Sequence, residues 1–144
     1  MHRGIYLMKL VHEVLEEISN KKSKKDKVAI LKENETWALK DIIRGSMDPT
    51  IQWNLPSGAP PYTACEPHNA PANLHRENAK FKYFVKGNQG DTLPAYKREK
   101  IFIGILEGVD PGDAQCVVSM INKETPAGLT KAIVEEAFPG LLRG

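Results

Sequence analysis

Between Asp48 and Ala72 the chain carries six of its ten prolines, at positions 49, 56, 60, 61, 67 and 71, with no helical period among them. Proline removes a backbone donor and clashes with the preceding turn, so this stretch is not a helix interior. It is also long for a structureless connection inside a compact domain. Two readings stay open: the segment lies pinned to the surface by Trp53 and Tyr62, or it is a functional loop. On either side apolar residues recur at three- and four-residue spacing, and neither strand alternation nor a repeat of 20 to 50 residues is visible. The 144 residues therefore predict one all-α domain, a bundle of about six to seven short helices with a proline-rich loop over 48–72.

Leu7, Leu10, Val11, Val14, Leu15 and Ile18 form the apolar face of a first amphipathic helix that ends within residues 19–22. Ser23 is an N-cap for a second, with Asp26 in its first turn and Val28, Ile30 and Leu31 turned inward until about Glu33. Asn34 is read as the cap of a third, in which Trp37, Ala38, Leu39, Ile42 and Ile43 make a broad apolar face. Helical character returns from Asn73 to Lys86, and residues 87–91 form a turn. Pro94 then opens a helix burying Tyr96, Ile101, Ile103, Ile105 and Leu106 and ending near Gly108. Asp110-Pro111-Gly112-Asp113 is the strongest helix-start signal in the chain, and a last short helix spans about Leu129 to Phe138. Met8 is an alternative start, which would make residues 1–7 an extension.

With 41% hydrophobic and 26% charged residues the composition is that of a folded globular protein. No apolar stretch approaches the roughly 20 residues of a membrane span, and no cleavage site closes the N-terminal patch, so neither membrane association nor a signal peptide is expected. Two cysteines, Cys65 and Cys116, fit a reducing compartment, and the expected location is cytoplasmic. Phosphate-cradling glycine motifs do not occur. Cys65-Glu66-Pro67-His68, with His75 seven residues on, has metal-like spacing but lacks the second ligand pair of a zinc motif. Glu16-Glu17 and Glu135-Glu136 read as solvated helix faces rather than acid and base. No cofactor, metal or catalytic centre is expected.

Positive charge is unevenly placed. Lys21, Lys22, Lys24, Lys25 and Lys27 put five cations into seven residues at a helix start, where they oppose the helix dipole. They form either an ordinary solubilising face or a phosphate-binding one. Residues 73–100 hold seven basic residues (Arg76, Lys80, Lys82, Lys86, Lys97, Arg98, Lys100) against three acids, net +4, whereas residues 101–144 hold three against six, net −3. Phe81, Tyr83 and Tyr96 interleave that second basic run and could stack on bases, although core positions suit Phe81 and Tyr96 better.

Several segments, taken in order, carry a resemblance. They are Val14-Leu15-Glu16-Glu17-Ile18, then Ser23 to Asn34, then Leu39-Lys40-Asp41-Ile42-Ile43, Asp48-Pro49, and finally Gly128 to Leu141. Together they resemble the helical N-terminal DNA-binding domain of ATP-dependent DNA ligases of T-even-type phages. The resemblance implies a bacteriophage protein that meets double-stranded DNA through phosphates around Lys24, Lys25 and Lys27 and near Thr130 and Lys131. Ligases form a lysyl-adenylate in a Lys-x-Asp-Gly motif, and this chain has no Asp-Gly dipeptide. The expected function is a non-enzymatic DNA-binding module in phage DNA metabolism. The candidate contacts are Lys21, Lys22, Lys24, Lys25, Lys27, Lys80, Lys82, Lys97, Arg98, Thr130 and Lys131. The alternative is a protein-interaction module docking a phage or host protein through the Trp53 and Tyr62 loop.

Overall fold

The computed structural model describes residues 9–143, so Leu7 of the first predicted helix and the possible 1–7 extension lie outside the described residues. Within them the chain is all-helical: α1 (Val11–Ser19), α2 (Lys24–Glu33), α3 (Trp37–Met47), α4 (Leu74–Glu77), α5 (Ala95–Gly108), α6 (Pro111–Ile121) and α7 (Lys131–Ala137), with 3-10 turns over Asn78–Tyr83 and Gln89–Thr92. Helix α1 packs on α2 and α6, α3 on α6, α5 on α6, and α2 on α7. The shared core includes Val14, Ile18, Leu31, Ile42, Ile43, Phe84, Leu106, Val117 and Met120.

The caps explain most boundaries. Ser23 Oγ accepts from Asp26 N at 3.1 Å, and Asp110 accepts from Gly112 N at 2.8 Å with Pro111 at the first position of α6. Asn34 does not start α3. Its Nδ2 donates back to Ile30 O at 2.9 Å and closes α2, while Thr36 Oγ1 caps α3 by accepting from Leu39 N at 3.2 Å. Two cap-competent residues stand two apart, and the amide, which can donate as well as accept, takes the C-terminal role.

Two apolar assignments and one helix assignment change. Trp37 is 69% exposed. At 3.6 residues per turn Ala38, Leu39, Ile42 and Ile43 share one side of α3, and Trp37 falls opposite them with Lys40 and Arg44, all three within about 60° of arc. Tyr96 is equally exposed, because the inward arc of α5 is Phe102, Ile105 and Leu106. Residues 73–86 are one α-turn followed by a 3-10 turn rather than a single α-helix. Three residues per turn set Asn78, Phe81 and Phe84 on one edge. From there Asn78 Nδ2 donates to Asp41 on α3 at 2.8 Å and both phenylalanines enter the core. Gly90 closes this unit. It is buried, and a Cβ there would collide with the backbone carbonyl of Tyr83.

The proline-rich stretch is pinned along its length. Trp53 Nε1 donates to Gly45 O at 3.0 Å, and the indole meets Phe81 edge-on at 6.3 Å between centroids. Asn54 N to Phe84 O at 2.6 Å and Lys86 N to Gln52 O at 2.8 Å pair this segment with residues 84–86. Farther on, Gly58 N donates to Asn122 Oδ1 at 2.8 Å and Thr63 N to Glu107 Oε2 at 2.9 Å. Ala72 N ends the stretch on Gly108 O at 2.9 Å. These backbone groups find partners on the 84–86 segment, on α5 and on the C-cap of α6, as ordered non-helical chain requires.

Candidate nucleic-acid interface

Packing of α2 on α7 brings the first lysine run and the Thr130-Lys131 pair into one neighbourhood, although the sequence separates them by about a hundred residues. Lys24 Nζ lies 3.2 Å from Glu136 Oε1. Lys27 Nζ donates to Gly128 O at 2.8 Å. Gly128 has φ +85°, a left-handed conformation that a glycine adopts without strain, and it lies close against Ser19. Lys27 therefore fixes the turn that leads into α7. Thr130 Oγ1 accepts from Ile133 N at 3.3 Å and caps that helix. Lys21, Lys22, Lys25 and Lys131 are exposed, and among the described residues no ion pair holds Lys21, Lys22 or Lys25.

The second basic run sits elsewhere, on the 3-10 turns that pack against α3 and α4 and on the start of α5. Arg98 is internal in role: its guanidinium donates to Leu93 O at 2.6 Å, Gly90 O at 3.1 Å and Asn54 O at 3.3 Å. Lys80 pairs with Glu77 at 2.8 Å, and the Lys82 ammonium lies 5.5 Å from the Tyr83 ring centroid. Lys97 is exposed. Of the interleaved aromatics Phe81 is core, Tyr83 half-buried and Tyr96 in solvent. The two lysine groups thus stand on different elements.

The outer face of α3 carries Trp37, expected on the apolar side, together with basic residues. Trp37, Lys40 and Arg44 on α3 join Phe138, at the end of α7, and Arg143 in lining a cleft of about 460 Å³. The Lys40 ammonium lies 4.7 Å from the Trp37 ring centroid and 5.5 Å from that of Phe138, and it pairs with Glu35. Arg44 Nη2 donates to Asp41 Oδ1 at 3.1 Å and keeps further N–H groups of its five-donor fork. The i, i+3, i+7 spacing of Trp37, Lys40 and Arg44 was a legible signal.

Other ionisable groups are structural. Lys123, at φ +56°, donates from Nζ to Gly45 O at 2.8 Å, Asp48 O at 2.7 Å and Ile51 O at 3.0 Å. Burial lowers its pKa against the pull of Asp48. His12 bridges Glu16 at 3.2 Å and Asp110 at 3.1 Å through its two ring nitrogens, and its backbone N donates to the buried Asp113 at 2.9 Å. Burial opposes protonation of the imidazole, but Glu16, Asp113 and Asp110 together hold its pKa above the usual value. Burial pushes the Cys116 thiol up to about 12, which keeps it un-ionised and a poor nucleophile at neutral pH. Both line an acid-rimmed cleft of about 300 Å³ with Glu16 and Glu124. Cys65 Sγ donates to Val109 O at 2.9 Å and His75 Nε2 lies 3.2 Å from Lys9 O, so two of the three metal-spaced residues have partners in the fold. Trp53 and Tyr62, the proposed docking anchors, both pack against the core.

Fold and site together define a small all-α domain with a lysine-bearing edge and a basic, aromatic-lined cleft. No described helix is long and apolar enough to cross a membrane. The chain belongs to DUF6433, a family of unknown function, whose model matches residues 14–126. That span runs from within α1 through α6, and includes the first lysine run, Trp37, Lys40 and Arg44. A comparison with curated proteins finds no match.

Proposed function

We propose that this protein is a non-enzymatic DNA-binding module that holds duplex DNA by its phosphate backbone. The resemblance to the phage ligase domain points to phage DNA metabolism as the setting. What carries the reading is the set Lys21, Lys22 and Lys25: exposed cations at the start of α2, opposed to its dipole and without an ion pair among the described residues. Phosphates would neutralise them and release condensed counterions, giving sequence-independent affinity. Lys131 extends the same edge from α7, Lys27 and Thr130 hold the edge together, and Lys24 is exposed but shared with Glu136 of α7. Lys82 and Lys97 are a secondary contact region.

Anisotropy titration of a labelled duplex at several salt concentrations tests this. The logarithm of affinity should fall linearly with the logarithm of salt, and K21E/K22E/K25E should flatten the slope by about 0.9 for every phosphate contact removed. Binding that is absent at low salt, or indifferent to salt, would refute it.

A further inference from the structure

We propose that the cleft between α3 and the 137–143 segment takes a single unpaired nucleotide, its base stacked on Trp37 and its phosphate held by Arg44 and Arg143. Two independent observations meet there. Tryptophan is usually well buried, yet Trp37 is 69% exposed, with the Lys40 ammonium set against its ring and tied to Glu35. A ring steadied in this way and still open to solvent is a stacking platform. Beside it, three cations line the cleft against one lining acid, Glu35, and Lys40 already neutralises that acid. Arg44 shares its charge with Asp41 but keeps further N–H groups, and Arg143 adds a cation with no ion pair among the described residues; both planar forks suit phosphate oxygens.

The volume of about 460 Å³ is within the ordinary ligand-pocket range of roughly 300–1,000 Å³. A flat aromatic surface and a phosphate-binding pair in one cleft match a nucleoside phosphate better than an acidic peptide, which has no use for the indole, or inorganic phosphate, which leaves it bare. The site rests on residues separate from the α2 lysines. It adds to the duplex-binding reading a preference for DNA with an unpaired base, and either can fail alone.

The test uses the full chain and fluorescein-labelled (dT)10. Binding should quench tryptophan emission, which comes from Trp37 and from the inward-held Trp53. W37A should weaken (dT)10 binding about tenfold while leaving duplex affinity and the melting temperature near wild type, and W37F should recover part of the loss. R44Q and R143Q should each flatten the (dT)10 salt slope by about 0.7. The proposal is overturned if W37A binds (dT)10 as wild type does. It is also overturned if inorganic phosphate or a poly-glutamate peptide displaces (dT)10 as effectively as dTMP at equal charge. K21E/K22E/K25E, run in parallel, should weaken duplex binding and retain the Trp37 quench with (dT)10.

Discussion

Asp48 shows how much of this molecule depends on one carboxylate. It is the C-cap of α3 and 1% exposed. Oδ1 accepts from Thr50 N at 2.9 Å and from its hydroxyl at 2.6 Å, and Oδ2 accepts from Arg143 N at 3.0 Å. Burial alone would raise its pKa, but these donors and the nearby Lys123 charge hold it below the ordinary 3.8. A depressed carboxylate stabilises the fold above its unfolded pKa, and that contribution is lost as pH falls through the folded value. Asp48→Asn turns an amide donor toward one of these donors, so it should cost about 2 kcal/mol at neutral pH. Urea melts of both proteins should show that gap closing only once the pH drops below 3.8; a gap unchanged into strong acid would contradict the role. The substitution should also loosen Arg143, which connects this buried cap to the cleft.

Elements were legible where local chemistry sets them. Ser23, and Asp110 with Pro111, each place an oxygen against the first turn of their helix, and no distant residue is needed for that. The start of α3 was missed because Asn34 and Thr36 can both cap, and the choice depended on Ile30 O needing a donor. The 78–83 turn was missed for a different reason. Its tightening to three residues per turn follows from both Phe81 and Phe84 entering a core built by α3 and α5, with Phe84 edge-on to Phe102 at 5.5 Å. Gly90 supports that same unit, and Arg98 ties its carbonyl to α5. Gly90→Ala should therefore cost at least about 2 kcal/mol, read as a lowered Tm with loss of amide protection across 78–92. A melting temperature equal to wild type would show that the backbone approach is not required.

At the scale of the whole molecule, the proline-rich segment behaves as a strap rather than an arm. It ties α3 to the 84–86 segment, and then runs over α5 and α6 through Gly58, Thr63, Cys65 and Ala72. Deleting residues 50–72 and bridging the gap with glycine and serine should lower Tm and expose apolar surface to dye. A dispensable docking loop would leave both unchanged. Charge is distributed on the same scale. Twenty basic and 18 acidic residues nearly cancel, and the fold sorts them into cations that hold it together, such as Lys27, Arg98 and Lys123, and cations left to solvent, such as Lys21, Lys22 and Lys25.

Helical class, the caps at Ser23 and Asp110 and the breadth of the core were written in the sequence, because apolar period and first-turn chemistry act over three or four residues. Which lysines find a partner was decided only by tertiary structure, since Lys27 meets Gly128 across 101 residues and Lys24 meets Glu136 on another helix. The Trp37 cleft belongs to the same class: its walls come from α3 and from the end of the chain, and no local pattern could have joined them.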